Sequence, residues 1–260
     1  MQAEKRVAIV TGAAQGIGRR TAEVLAGRGY SLALLDIQSA TATLDALGSA
    51  GADAIEASGD VASESDVERM AARVVERFGR ADVLVNNAGI SCIRPAEETS
   101  AADWQRVIDV NLTGPFLLSR AFGRVMLRQR SGAIVNVASI AGLAGIGDRA
   151  AYNTSKHGLV GLTRTLAAEW GGRGVRVNAV CPGWVKTAMD DADQARGTYR
   201  DSDIENRVPM GRFARPDDIA QAIAFLADPA LSGFINGETL RVDGGWLSDG
   251  SWESLRLKNR

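Results

Sequence analysis

Short apolar segments alternate with amphipathic segments along almost the whole chain, and this alternation restricts the fold more than any other feature. The apolar segments are bounded by turn-forming residues, as buried strands are. The segment that follows Ser63 instead places its apolar residues at helical spacing, as Val67, Met70 and Val74 illustrate. The predicted strands are residues 6–10, 31–36, 53–57, 82–86, 132–139, 175–180 and 238–242.

Strands that alternate with helices predict a mostly parallel sheet, because a right-handed crossover between parallel neighbours packs a helix onto the sheet. The expected fold class is therefore α/β, a doubly wound Rossmann-type domain with helices on both faces. No linker divides the chain, so we predict a single domain over residues 1–260. The polar, poorly periodic segment 187–215 interrupts the alternation, and we expect it to form a lid over the substrate.

The composition is that of a globular protein and excludes several classes of partner. With 45% hydrophobic residues, the chain can bury a full-sized core. The 30 basic and 31 acidic residues give a net charge of −1, and no basic run predicts a nucleic-acid partner. No apolar run has the length of a membrane span and the chain enters a strand pattern directly, which predicts a cytoplasmic protein with no membrane partner. Two cysteines without metal-ligand spacing predict free thiols and no metal site.

A glycine-rich turn follows the first predicted strand and favours dinucleotide binding. Gly12, Gly16 and Gly18 are spaced as G-x-x-x-G-x-G, a departure from the commoner G-x-G-x-x-G. Glycines let the backbone turn tightly, approach a pyrophosphate and bring helix and strand into contact, and the next helix offers unpaired N–H groups. The alternative is a glycine-rich turn that serves packing alone.

The second predicted strand ends at Asp36, and this carboxylate predicts NAD rather than NADP as the cofactor. An acidic residue at about this offset from the glycine turn hydrogen-bonds the adenosine ribose. It would repel a 2′-phosphate, and neither Gln15 nor Ile37 supplies the cation that a 2′-phosphate needs. The alternative is a loop or capping Asp before the next helix.

Tyr152 and Lys156 are four residues apart in a helical pattern, so their side chains project from the same face. An enzyme that oxidises an alcohol must remove the hydroxyl proton, and a phenol with a pKa of ~10 is mostly protonated at neutral pH. An ammonium group at ~4 Å favours the phenolate by roughly three pKa units. This pair therefore predicts an acid/base catalyst with a pKa near neutrality.

Two further residues complete the candidate catalytic group. Ser139 ends the fifth predicted strand at the carboxyl edge of the sheet, where its hydroxyl can hold a substrate oxygen. Asn111 interrupts a helical pattern shortly before Gly114 and Pro115, and its amide or carbonyl can hold a water near Lys156. Each has a structural alternative, Ser139 as a small residue at a strand end and Asn111 as a residue at a helix kink.

These residues, in their order along the chain, resemble the short-chain dehydrogenase/reductase family. The resemblance implies a seven-stranded sheet and a protein that is usually a homotetramer. The motifs that carry it are TGAAQGIG at 11–18, Asp60-Val61, NNAG at 86–89, Asn111, Ser139, YNTSK at 152–156, PGWVKT at 182–187 and GETLRVDGG at 237–245.

The resemblance also implies a role for each of these residues. Tyr152 is the expected catalytic acid/base, and Lys156 lowers its pKa and binds the nicotinamide ribose. Ser139 orients the substrate, and Asn111 completes a proton relay. Asp60 and Val61 are expected at the adenine, residues 87–89 along the cofactor cleft and residues 182–187 at the nicotinamide. The expected cofactor-binding residues are Gly12, Gln15, Gly16, Ile17, Gly18, Asp36, Asp60, Val61, Asn87, Ala88, Gly89, Tyr152, Lys156, Pro182, Gly183, Val185 and Thr187.

Three functions are compatible with these motifs. The first is an NAD-dependent dehydrogenase that interconverts a secondary alcohol and its carbonyl without a metal. The second is an NADPH-dependent 3-oxoacyl reductase, against which Asp36 and Gln15 argue. The third is a non-catalytic NAD-binding scaffold, against which the complete catalytic set argues. The polar segment 190–207 favours a sugar, polyol or similar small hydroxylated substrate. Arg94 and Arg149, in loops that can flank the pocket, are candidates for binding an anionic group on a substrate.

The end of the chain is apolar for a free tail, since it contains Trp246, Trp252 and Leu255. We expect this tail to pack on a neighbouring subunit, and packing on its own subunit is the alternative.

Overall fold

The structure is a computed structural model that describes residues 5–195 and 199–251, and its elements follow the predicted alternation closely. The strands are β1 (Val7–Thr11), β2 (Ser31–Asp36), β3 (Ala54–Ser58), β4 (Val83–Asn86), β5 (Gly132–Val137), β6 (Val175–Pro182) and β7 (Thr239–Val242). The helices are α1 (Gly16–Gly27), α2 (Thr41–Ser49), α3 (Glu64–Phe78), α4 (Ala101–Ile108), α5 (Gly114–Gln129), α6 (Ala150–Trp170), α7 (Ala188–Gln194), α8 (Asp201–Arg207), α9 (Pro216–Ala227) and α10 (Pro229–Ser232).

The seven strands form one parallel sheet in the order β3-β2-β1-β4-β5-β6-β7, which confirms the predicted doubly wound α/β class. The strand order reverses between β1 and β4, because the chain fills one half of the sheet before it crosses to the other. At such a point the loops at the carboxyl ends of the two strands diverge and leave a crevice. The candidate site is therefore expected above β1 and β4.

The sheet is covered on both faces because adjacent residues of a strand point to opposite sides. In β5, Ile134 packs in one buried cluster with Phe122 of α5, whereas Val135 packs in a second cluster with Ile223 of α9. All four side chains are essentially inaccessible to solvent. Strands buried on both faces explain the continuous apolar runs in the sequence.

The helix that the apolar period after Ser63 predicts is present as α3, and residues at its two ends set its bounds. The Ser63 hydroxyl accepts a hydrogen bond from the Asp66 amide and caps α3, and Gly79 follows the last turn with φ of 72°. That left-handed conformation favours glycine and ends the helix. The two ends of α3 are therefore set by residues local to the helix.

The described residues of the segment 187–215 include two seven-residue helices, α7 and α8, that the sequence did not predict. Seven residues make two turns at most, so no helical period can be recognised in so short a segment. Asp190 and Asp193 of α7 are buried although they are acidic, so the polar composition did not indicate exposure. Both residues face the crevice described below.

Trp246, in the turn after β7, packs on its own subunit. Its ring contacts Trp184 edge-on, with 4.5 Å between ring centroids, and the Arg207 guanidinium lies 4.5 Å from its centroid. The other two apolar residues of the tail, Trp252 and Leu255, lie outside the described residues. Within the described ranges, no helix combines the length and the hydrophobicity needed to cross a membrane.

Candidate active site

The turn between β1 and α1 is shaped to receive an anion. Gly12 and Gly16 have φ values of 63° and 55°, a region that favours glycine. A Cβ at Gly12 would lie 2.8 Å from the Asn87 Nδ2 atom, so a larger residue would collide with the neighbouring loop. Gln15 precedes α1 without a side-chain capping bond, which leaves the N-terminal amides of the helix without a side-chain acceptor. Such amides bind phosphate groups.

Gly18 does not line the cleft, although it was expected to bind the cofactor. A Cβ at this position would lie 2.0 Å from the Gly12 carbonyl oxygen, which no side chain can tolerate. Its contribution is the close packing of α1 against the turn, the third of the glycine functions considered for this motif.

Asn87 and Thr11 join the turn to the loop after β4. The Asn87 side-chain amide donates hydrogen bonds to the carbonyl oxygens of Thr11 and Gly12, at 2.9 and 3.1 Å. The Thr11 hydroxyl accepts from the backbone amides of Asn87 and Ala88. The Asn87 side chain therefore positions the turn by bonds to protein groups.

Asp36 lies at one end of the cleft and is held by two backbone amides. Its carboxylate accepts from Ala14 and from Gln38, both at 2.9 Å. Because the glycine turn supplies one of these amides, the carboxylate is fixed relative to the expected pyrophosphate site. Asp60 lies at the same end, where it forms an ion pair of 2.9 Å with Arg106.

Ser139, Tyr152 and Lys156 meet at the opposite end of the same cleft. The Lys156 ammonium lies 5.6 Å from the Tyr152 ring centroid and donates to the Val137 carbonyl oxygen at 2.8 Å. The Ser139 hydroxyl accepts from the Ala141 amide at 3.1 Å. The end of β5 and the first turns of α6 therefore bring together three residues that are separate in sequence.

The pKa of Tyr152 differs from the sequence expectation in direction. Burial raises the pKa of the phenol, and hydrogen bonding to Ser139 and the charge of Arg149 only partly oppose this. Burial also lowers the pKa of Lys156 from 10.5 to about 8. The same exclusion of water thus disfavours the charged forms of both groups. The expectation that Lys156 alone brings the pKa of the phenol near neutrality is therefore wrong.

Asn111 lies beneath the cleft and does not line it. A π-helical segment, Asp109–Thr113, connects α4 and α5 and contains this residue. The Asn111 side chain accepts from the Ile90 amide and donates to the Ile90 carbonyl and the Ser155 hydroxyl. These bonds use both Nδ2 hydrogens, so a water near Lys156 can be held only by an oxygen of Asn111, and the backbone carbonyl is one of the groups the sequence suggested.

The substrate end of the cleft contains Arg149, which was expected in a loop near the pocket, and several residues for which the sequence predicted no individual role. Arg149 and Asp193 form an ion pair beside Tyr152, and the Tyr199 hydroxyl donates to Asp190 at 2.7 Å. No local signal identifies such residues, because their contacts join segments that are far apart in sequence. The other residues that line this end are Ile140, Ile146, Trp184 and Met189.

With the exceptions of Gly18 and Asn111, the predicted site residues line one continuous cleft. They are Gly12, Gln15, Gly16, Ile17, Asp36, Asp60, Val61, Asn87, Ala88, Gly89, Ser139, Tyr152, Lys156, Pro182, Gly183, Val185 and Thr187. Within the described part of the chain, no group of His, Cys, Asp or Glu side chains is placed to hold a metal ion.

Comparison with known proteins places this cleft among oxidoreductases. Residues 12–247 match a family model described as enoyl-(acyl carrier protein) reductase. A 3-oxoacyl-[acyl-carrier-protein] reductase of Synechocystis sp. is 40% identical, with 93% of this chain and 97% of the relative covered. A D-threitol dehydrogenase of Mycolicibacterium smegmatis is 43% identical, with 93% and 92% covered.

A solved structure has the same architecture. It is a protein of Beutenbergia cavernae proposed to be an NAD(P)-dependent gluconate 5-dehydrogenase, with NADP bound at low occupancy. The two chains are 42% identical with a TM-score of 0.89, and 94% of this chain and 97% of the other are covered.

Proposed function

Because the chain belongs to the short-chain dehydrogenase/reductase family, whose members are oxidoreductases of alcohol and carbonyl groups, we propose that it is an NAD-dependent dehydrogenase of a small hydroxylated substrate. The observation that carries the proposal is the single cleft that joins the glycine turn and Asp36 to Ser139, Tyr152 and Lys156. The end of the cleft with the glycine turn and Asp36 fits a dinucleotide, and the opposite end contains the proton acceptor, Tyr152.

The residues present fit a nicotinamide dinucleotide. The turn at Gly12 and Gly16 has no Cβ atoms, which would occupy space beside the backbone. The start of α1 has no side-chain cap, so its backbone amides can bind a pyrophosphate. Asp36 would hold the adenosine ribose, and Lys156 the nicotinamide ribose. Bound in this way, the dinucleotide supplies the hydride acceptor.

Oxidation of a secondary alcohol removes a hydride from carbon and a proton from oxygen. In the proposed mechanism Ser139 binds the substrate oxygen and Tyr152, in its phenolate form, accepts the hydroxyl proton. The Lys156 ammonium stabilises that phenolate, and Asn111 holds the loop residue Ile90 beside the cleft. In the reverse direction the protonated phenol donates to the carbonyl oxygen. Water exclusion strengthens these interactions because it lowers the local dielectric.

The preference for NAD over NADP is supported by the charges at the adenosine end. Asp36 presents a carboxylate where a 2′-phosphate would lie. Among the described residues, the cations that line the cleft are Arg106, Arg149 and Lys156, and Arg106 is already paired with Asp60. A 2′-phosphate would therefore meet a like charge with no unpaired cation beside it.

We expect Asp36→Asn to shift the ratio of kcat/KM for NAD to that for NADP by at least about tenfold toward NADP, because like charges in contact cost several kcal/mol. Asparagine keeps an oxygen that can accept one of the two backbone bonds. Steady-state kinetics with both cofactors give the ratio. Asp45→Asn, which changes an exposed carboxylate on α2 outside the cleft, is the matched control. An unchanged ratio in Asp36→Asn, or a wild-type preference for NADP, contradicts the assignment.

The proposed substrate is a sugar, a polyol or a similar hydroxylated metabolite. The substrate end contains Arg149, Asp190, Asp193 and Tyr199, which can exchange hydrogen bonds with hydroxyl groups. The relative that is a D-threitol dehydrogenase supports this class. The relative that is a 3-oxoacyl reductase supports the alternative, an acyl-chain ketoreductase.

A panel of aldoses, polyols, hydroxy acids, steroids and short 3-oxoacyl thioesters, assayed with NAD(H) and NADP(H), separates these functions. We expect the highest kcat/KM for a sugar or polyol with NAD. Activity restricted to apolar alcohols, or to 3-oxoacyl thioesters with NADPH, would defeat the proposal. We also propose that the chain is a single domain in which the segment 187–215 is a lid over the substrate. The proposed assembly is a homotetramer in the cytoplasm, and light scattering measures its mass.

A further inference from the structure

An ion pair at the substrate end of the cleft joins two elements that lie far apart in sequence. Arg149 directly precedes α6, and Asp193 belongs to α7. The two terminal nitrogens of the guanidinium, Nη1 and Nη2, both lie 3.4 Å from the same carboxylate oxygen of Asp193. The Ser91 hydroxyl accepts from Arg149 at 3.0 Å and donates to Asp193 at 3.1 Å. The three residues form one small polar cluster.

The cluster is shielded from solvent and is close to the reacting groups. The side chains of Arg149 and Asp193 are 13% and 11% exposed, and both line the cleft with Tyr152. The Arg149 guanidinium carbon lies 6.0 Å from the Tyr152 ring centroid. A substrate whose reacting carbon is at the phenol therefore has its neighbouring carbons next to this pair.

The pairing decides which chemical groups can bind there. A hydroxyl group both donates and accepts, so it can bond to the guanidinium and to the carboxylate while the two remain paired. A carboxylate group only accepts and carries a negative charge, so it must compete with Asp193 for Arg149 and is repelled by Asp193. Asp190, which also lines this end, has its own cation in Lys186 at 3.0 Å.

We propose that Arg149 and Asp193 are a specificity-determining pair that selects neutral, hydroxylated substrates and rejects hydroxy acids of the same chain length. This inference rests on the proposed dehydrogenase function, since it specifies the substrate of the same site. Neither residue takes part in hydride or proton transfer.

The test compares a neutral and an anionic substrate of equal length, threitol and threonate. In Asp193→Asn the counter-ion of Arg149 is removed, and we expect the ratio of kcat/KM for threonate to that for threitol to rise at least about tenfold. Isothermal titration of threonate into the NAD-loaded protein should show its dissociation constant falling by a similar factor. Asp53→Asn removes a carboxylate that pairs with Arg77 on the exposed surface, and it should leave both quantities unchanged.

Arg149→Gln is the opposite test, because it leaves the Asp193 carboxylate without this cation and should lower the threonate-to-threitol ratio. The double variant should return the ratio toward that of the wild type. If Asp193→Asn does not fold, as judged by thermal unfolding, the direction in Arg149→Gln decides. An unchanged threonate dissociation constant in either folded variant refutes the proposed role of the Arg149–Asp193 pair, whether or not the wild type oxidises any substrate. If no substrate is oxidised but the threonate dissociation constant changes in the variants, the dehydrogenase function is refuted and the role of the pair in binding is supported.

Discussion

Tyr152→Phe is expected to lower kcat/KM for alcohol oxidation by at least about a thousandfold, because it removes the group that accepts the hydroxyl proton. The ring and its packing remain, so the dissociation constant for NAD should change no more than about twofold. Since burial raises the pKa of Tyr152, the wild-type rate of oxidation should increase with pH above neutrality. The residual activity of the variant should lack that increase. Steady-state kinetics across pH, with NAD binding followed by fluorescence, measure all three quantities.

Tyr30→Phe is the matched control for this experiment. It removes the same oxygen atom from a buried tyrosine that precedes β2, where the hydroxyl has no hydrogen-bond partner among the described residues. Its activity should equal that of the wild type. Turnover that survives in Tyr152→Phe would mean that the phenol does not transfer the proton, and it would favour a scaffold or a different catalyst.

Lys156→Met is expected to make the protein more stable and almost inactive. Burial lowers the pKa of Lys156 from 10.5 to about 8, so at neutral pH the folded state carries a charge that costs about 3 kcal/mol. Methionine avoids this cost but leaves the Val137 carbonyl without its donor, a loss of about 1–2 kcal/mol. The net expectation is a gain of about 1–2 kcal/mol, or roughly 2–8 °C in Tm. Loss of the ammonium should reduce kcat/KM at least about a hundredfold.

The pH dependence gives this prediction a second readout. Below pH 8 Lys156 is protonated in both the folded and the unfolded wild type, so the free-energy cost of burying its charge is fully present. Between pH 8 and 10.5 the folded state has released the proton and the unfolded state retains it, so wild-type stability rises with pH. The advantage of Lys156→Met should therefore shrink across that interval in denaturant titrations. Lys5→Met, at an exposed position, should show neither effect. A Tm for Lys156→Met well below that of the wild type would contradict the argument.

The identity of the site residues could be predicted because their signals are local. The glycine turn between Gly12 and Gly18 depends on backbone conformations that few residues other than glycine adopt. Tyr152 and Lys156 share one face of a helix, and Ser139 follows a strand whose direction is known once the sheet is parallel. Each of these inferences uses a spacing of a few residues and an element that the apolar pattern had already located.

The environment of those residues could not be predicted in the same way. The raised pKa of Tyr152 depends on how completely the surrounding elements exclude water, whereas the spacing of Tyr152 and Lys156 in the sequence indicates only the nearest charge. The bond from Lys156 to the Val137 carbonyl and the bonds from Asn111 to Ile90 and Ser155 join separate elements. A burial or a contact of this kind is a property of the packed chain.

The sequence by itself determined the class of sheet, the positions of its strands and the chemical groups at their carboxyl ends. It could do so because hydrophobic period and turn chemistry act over a few residues. Only the tertiary structure decided that Asn111 supports a loop and that Arg149 is paired with Asp193. These outcomes depend on which distant segments come into contact when the sheet and its helices pack, and no local pattern encodes that contact.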